Sequence, residues 1–148
     1  MEFTTTAQAD TYNKVALWLR ELFGQFPCAR PDLPALGLFM NSALVEVFVY
    51  PWKGDDAVIH TRSYVVTGIE LTQDLLDFLL RENAQMLFGA FGIDPNGDIL
   101  FEHTIVGSTC DKLELEASVK AVLDVADSYD DHIVEKWGGA TALSRLQQ

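Results

Sequence analysis

The chain has 148 residues, 49% of them hydrophobic, and 10 lysines and arginines stand against 22 aspartates and glutamates for a net charge of −12. That apolar content excludes an intrinsically disordered chain, and the length suits one domain with a sizeable core. A field of this sign repels phosphate backbones and anionic bilayers, so neither nucleic acid nor a membrane is expected as a partner.

No apolar run approaches the ~20 residues of a membrane span. Met1-Glu2-Phe3-Thr4 lacks the basic start and apolar block of a signal peptide, and Cys28 and Cys110 alone make no disulfide framework. A cytoplasmic protein is the expectation.

Tyr12, Val15, Leu19, Leu22 and Phe26 recur at helical spacing, widened by Trp18 and Phe23, and predict a helix from Ala7 to Phe26. Pro27, Pro31 and Pro34 then mark a break too short to be a domain linker. Leu36 to Met40 and Leu44 to Tyr50 read as strands around a tight Asn41-Ser42 turn, and the second is apolar on both faces apart from Glu46. Pro51 to Asp56 makes a loop and Ala57 to Thr67 a third strand. Thr72 caps a helix with Leu75, Leu76, Leu79 and Leu80 inward and Asp74, Asp77, Arg81 and Glu82 outward.

Met86 to Ile93 and Ile99 to Val106 form a hairpin whose turn sets its register. A two-residue loop on Asn96-Gly97 would mix apolar and polar residues on both faces. A three-residue loop, with Pro95 and Asn96 central in a type I turn and Gly97 left-handed, sorts them. Ile93 then faces Ile99, Phe91 faces Phe101, Gly89 faces His103 and Leu87 faces Ile105.

A long helix follows from about Thr109, capped by Ser108 or Thr109, with the stripe Leu115, Val119, Val122, Ala126, Tyr129, Ile133 and Trp137. Its acidic back reads as a solvated surface, and Gly138-Gly139 ends it.

The order is α-β-β-β-α-β-β-α, an α+β fold on an antiparallel sheet of about five strands. Residues 1–139 form the expected domain and Ala140 to Gln148 a loosely held helical tail. Two strands apolar on both faces mean either that helices cover both sides or that one side meets another chain.

With Asn83, Phe88-Gly89-Ala90-Phe91-Gly92, Asn96-Gly97 leading into Ile99-Leu100-Phe101, and Ala126-Asp127-Ser128-Tyr129-Asp130 leading to Gly138-Gly139, the sequence resembles the YbjN family. These are small bacterial proteins with the fold of type III secretion chaperones, similar to CesT-type chaperones, and the element order fits from about Thr6 to Gly139. The resemblance implies an acidic cytoplasmic homodimer that holds an extended segment of a client protein, with no cofactor and no catalysis.

The residues point to no reaction centre. Asp94-x-Asn96-x-Asp98 opens like a calcium loop, but Ile99 and Ile105 stand where that loop needs glycine and glutamate. His60, His103 and His132 are scattered, neither cysteine has zinc spacing, and Gly89-x-x-Gly92 lies within a strand. The expected function is therefore a non-enzymatic peptide-binding module that captures an extended segment on a sheet face or at a sheet edge. Candidate contact residues are Phe39, Val47, Val49, Ala90, Gly92 and Leu100. A regulatory dimer contacting a signalling partner through its first helix and tail is the alternative, and a small hydrolase using a Cys, His or Asp is a remote one.

Overall fold

A computed structural model of the chain describes residues 1–146. Helix α1 (Thr6–Phe23) leads into β1 (Pro27–Ala29), β2 (Ala35–Met40), β3 (Ala43–Trp52) and β4 (Asp56–Thr67). Helix α2 (Gln73–Asn83), strands β5 (Ala90–Ile93) and β6 (Ile99–Val106), helix α3 (Lys112–Trp137), β7 (Ala140–Thr141) and α4 (Ala142–Leu146) complete it. The sheet is antiparallel in the order β1-β2-β3-β4-β6-β5, with β7 beside the end of β4. Among the described residues it has seven strands rather than about five, because β1 and β7 are too short for a periodicity to register.

Alternation decides where the core lies. Leu36 and Leu38 of β2, Val45, Val47 and Val49 of β3, Ile59 of β4, Phe91 of β5, and Ile99, Phe101 and Ile105 of β6 share one face. That face packs under α1 and α3, whose Val15, Leu19, Leu115, Val119, Val122 and Ile133 complete the core. Full burial of each such aliphatic side chain is worth ~1.5–3 kcal/mol. The α3 stripe read from the sequence is the buried stripe, with Tyr129 and Trp137 partly covered at its far end.

Several boundaries differ from the sequence reading. α1 stops at Phe23, where the Gly24 amide caps Arg20 O at 2.9 Å, so Phe26 lies outside the helix and half exposed. α3 begins at Lys112 under Asp111, whose carboxylate accepts from the Glu114 amide at 2.7 Å. Ser108 is unavailable as a cap because its hydroxyl and amide both donate to Asp56, at 2.6 and 3.1 Å.

The hairpin register is the one expected: Ile93 pairs with Ile99 and Phe91 with Phe101, and Gly97 has φ +84°. The strand itself is shorter. Gly89 has φ +81°, and a Cβ there would lie 2.7 Å from the Phe101 ring and 2.8 Å from Glu102 O. The chain leaves the extended conformation at this glycine, so Gly89 and Leu87 have no partners on β6, and Leu87 is 89% exposed.

The root of the expected tail is tied down. Ala140 and Thr141 pair with Thr67 and Val66, and α4 packs against β3 and β4; residues 147–148 of the expected tail lie outside the described residues.

The β2–β3 turn is pinned to α3. The Ser42 amide donates to Asp127 Oδ1 at 3.1 Å, and its hydroxyl lies between the Asp127 and Asp130 carboxylates. Asp130 is buried, and desolvation raises its pKa above the ordinary carboxylate value. A folded-state pKa above the unfolded one means that the folded chain holds this proton more tightly. Its burden is therefore full at neutral pH and is relieved as pH falls through that raised value. Asp130→Asn should raise Tm at pH 7 by about 2–5 °C. Thermal unfolding monitored by circular dichroism should show that gain shrinking toward pH 4.

Candidate functional site

The opposite face of the sheet has no α1 or α3 over it. Cross-strand pairing places its residues in rungs: Phe39–Leu44, Gly37–Glu46–Arg62–Glu102–Ala90, Ala35–Phe48–His60–Thr104, Tyr50–Val58–Val106 and Tyr64–Leu100–Gly92. One charged rung thus runs across the middle of an otherwise apolar and aromatic surface.

Arg62 is its centre. Its guanidinium lies 4.5 Å from the Phe48 ring centroid and 5.7 Å from that of Tyr64, and its Nη2 approaches Glu46 Oε1 at 3.5 Å. Glu46 is shared with Arg30 at 3.2 Å. Phe48 stacks on Tyr50, with centroids 5.6 Å apart. Among the described residues, Arg62 Nε and Thr61 Oγ1 are the buried side-chain polar atoms without a hydrogen-bond partner. Stacking, rather than a closed ion pair, holds the guanidinium against the sheet.

His60 lies beside this rung, its Nε2 3.2 Å from Glu102 Oε2 and its Nδ1 2.8 Å from Thr104 Oγ1. Burial lowers its pKa, and the Glu102 carboxylate opposes that shift.

Of the candidate contact residues, Phe39, Ala90, Gly92 and Leu100 lie on this face, Phe39 46% exposed and Leu100 almost covered. Val47 and Val49 do not. They are fully buried on the opposite face beneath the helices, so they cannot touch a partner on this one. A strand apolar on both sides gives no sign of which alternate set is covered, and the sequence reading named the covered set in β3. It also missed Arg62, His60, Phe48 and Tyr50. The available signal was Glu46, the lone charge in an apolar strand, which marks its side of β3 as the wetter one.

The sheet edges differ in access. Both outward polar groups of Phe91 are occupied by the Asn83 side chain, which accepts from its amide at 2.7 Å and donates to its carbonyl at 3.2 Å. An incoming strand finds the β5 edge blocked there. At the other edge, Arg30 bonds back to Ala35, so alternate residues of β1 face outward, but the strand has three residues and begins with proline.

The other candidate chemistries are engaged elsewhere. Asp94 Oδ1 accepts the Asn96 and Asp98 amides and Oδ2 accepts the Tyr64 hydroxyl, so the calcium-like sequence is a turn. Cys110 is buried and its pKa is pushed up to about 11 by desolvation, which keeps it a thiol. His103 bonds Ser118 on the helix side, and His132 packs against Phe78 and Trp137. Among the described residues, no three His, Cys, Asp or Glu side chains gather as a ligand set, and no helix is long and apolar enough to cross a membrane.

An antiparallel sheet with helices on one side and a mixed aromatic and charged surface on the other is the architecture of a binding module that presents a face. A family model covering residues 11–145 agrees, and the chain belongs to the family it describes: T3SS (YopN, CesT) and YbjN peptide-binding chaperone 1, or TY-Chap1.

Solved structures share the fold, among them the following three. The chain is similar to one in the ExsC–ExsE complex at 14% identity and TM-score 0.63, covering 86% of this chain and 96% of that one. It is similar to one in the HopA1–SchA chaperone–effector complex at 12% identity and TM-score 0.61, with 83% and 96% covered. It is also similar to one in the complex of the Yersinia pestis type III secretion chaperone SycH with a stable fragment of YscM2, at 16% identity and TM-score 0.54, with 78% and 96% covered. No curated protein matches the sequence.

The His60 geometry has a measurable consequence. Its Cε1 proton, followed by NMR, should titrate below the usual histidine value of 6.5, and Glu102→Gln should lower the midpoint further by removing the opposing charge. Because a depressed histidine pKa favours the neutral folded form, acidification through the range just below 6.5 should cost stability.

Proposed function

We propose that this chain is a non-enzymatic chaperone that holds an extended segment of a client protein on the uncovered sheet face. The carrying observation is the face itself: Phe39, Leu44, Tyr50 and Tyr64, over the nearly covered Phe48 and Leu100, around a charged rung, with no α1 or α3 above them. Family membership supports the class of ligand. So do the complexes in which similar chains are found, among them a chaperone–effector pair and a secretion chaperone with a partner fragment. An extended chain suits this surface because its alternate side chains can meet apolar rungs while the others point to water. Asn83 disfavours addition at the β5 edge, which leaves the face as the larger site.

The chain works as a homodimer in this reading. Leu80 of α2 is 69% exposed beside Ile93 at the outer edge of β5. With Leu76, Leu79 and Phe91 they line a groove of about 280 Å³, and the exposed Leu87-Phe88 loop projects at the C-terminal end of the same helix. An exposed apolar groove of this kind suits a two-fold self-contact.

Native mass spectrometry of protein isolated gently from its host tests both parts. A dimer carrying a second polypeptide is expected, and a bare monomer would overturn the reading. Phe39→Asp and Tyr50→Asp, both at half-exposed positions, should lose the bound polypeptide at least tenfold while leaving Tm within about 2 °C. Retention of the polypeptide by both variants would remove the face from consideration. Leu80→Glu should turn the dimer into a folded monomer in light scattering, and an unchanged mass would place the self-contact elsewhere.

A further inference from the structure

The open face is not empty at one end. Beyond α3 the chain passes through Gly138-Gly139, at φ +88° and +81°, pairs with β4 for two residues and then forms α4 across β3 and β4. The root of this segment is firmly seated: a Cβ on Gly139 would lie 2.8 Å from Val66 Cγ1 and 2.9 Å from Thr67 O. The tip is not. Ala142, Leu143 and Ser144 are only half-buried, Arg145 is exposed, and among the described residues the Ser144 hydrogen bonds return to Thr141 within the segment itself.

Between α4 and the sheet lies a cavity of about 250 Å³. Its wall includes Leu44 and Tyr64 of the open face, and its rim carries Glu46, Asp94 and Asp98. Glu46 is paired with Arg30 and Arg62, and the cation that reaches Asp98 is the chain's own Arg145, whose Nη1 lies 3.5 Å from Asp98 Oδ2.

We propose that α4 is a strap that occupies the Leu44–Tyr64 end of the open face in the client-free chain and is displaced by the client. Arg145 holds the place of a basic client side chain. The inference rests on the open-face reading of function. It follows from three features taken together: an anchored root, a weakly packed tip, and a guanidinium from the tip set beside acidic groups bordering the client's surface. A ligand that must displace the strap binds with an affinity reduced by the fraction of open chain. The strap thus works as a built-in competitor that clears weak, non-basic segments from the face. A client with apolar residues alternating with arginine or lysine replaces both parts of it, the helix on Leu44 and Tyr64 and the cation at Asp98.

The test uses the full chain and a fluorescein-labelled decapeptide of alternating arginine and valine, followed by anisotropy. Arg145→Ala should bind it about two- to fivefold tighter than the unmodified chain, the range set by a partly exposed ion pair. Arg81→Ala removes the same charge from α2 and should leave the affinity unchanged. Hydrogen exchange read by mass spectrometry should show the amides of 141–145 losing protection when the peptide binds, while those of β4 gain it. Equal affinity for the unmodified chain and Arg145→Ala, with the strap amides still protected, would overturn the strap. Were Phe39→Asp still to weaken binding in that case, the open-face reading would survive. Binding indifferent to Phe39→Asp and Tyr50→Asp would sink the open-face reading instead, and the strap with it. No binding to either the unmodified chain or Arg145→Ala would overturn the strap's basic-client chemistry.

Discussion

The two-residue period of the central strands is the constraint on which this molecule depends. β3, β4 and β6 are hydrogen-bonded in one register, so each side chain is committed to one of two faces by its position alone. The face bearing Val45, Val47, Val49, Ile59, Phe101 and Ile105 needs a cover, and α1 and α3 supply it with their own apolar stripes. Burying that set leaves the complementary set outside, and the complementary set is far from polar. Phe39, Tyr50 and Tyr64 reach solvent there, over the nearly covered Phe48 and Leu100, because their neighbours in sequence are needed in the core. The surface proposed to bind is thus a consequence of the same alternation that folds the chain.

A sheet with an apolar face and free edges invites uncontrolled pairing, and each exit is treated differently. At β5, the Asn83 side chain imitates a neighbouring strand by satisfying both outward groups of Phe91. Its position at the last residue of α2 makes this possible, because Gly89 brings the chain back past the helix end. At β1, brevity and Pro27 limit the exposed backbone. On the open face, Arg62 lies across the Phe48 and Tyr64 rings and keeps charge in the centre of the apolar area. Non-specific collapse onto that area would strip water from the guanidinium, which is expensive unless the partner supplies an acceptor.

Much of this was legible in the sequence. The Asp94–Asp98 turn, with Pro95 and Gly97 in diagnostic places, fixed the hairpin register, and the Leu115-to-Trp137 spacing fixed the buried side of α3. Both signals are local. The shortness of β5 was hidden because Gly89 looks like any small residue in an apolar run until its contact with Phe101 is known. β1 and β7 were hidden because their pairing comes from partners far along the chain, not from a period of their own. The site was half legible for a related reason. Phe39, Ala90, Gly92 and Leu100 lie together on the open face, but Val47 and Val49 were indistinguishable from Phe48 and Tyr50 by hydropathy. Only the lone Glu46 in β3 carried the information that decides between them.

Charge separates the face from the rest of the molecule. The chain carries −12 overall, yet the central rung sets Arg30 and Arg62 against Glu46 and Glu102, with His60 held neutral by burial. The long-range field therefore attracts basic partners, whereas the surface they reach is locally balanced. Field sets the rate of encounter and is screened by salt; contact with the aromatic rungs sets the lifetime and is not. Only a segment offering both features, basic residues for approach and alternating apolar residues for residence, profits from both terms. A neutral apolar segment gains the second without the first, and a purely basic one the first without the second. On the proposed reading, specificity for an extended client arises from the separation of charge and apolar surface over the molecule.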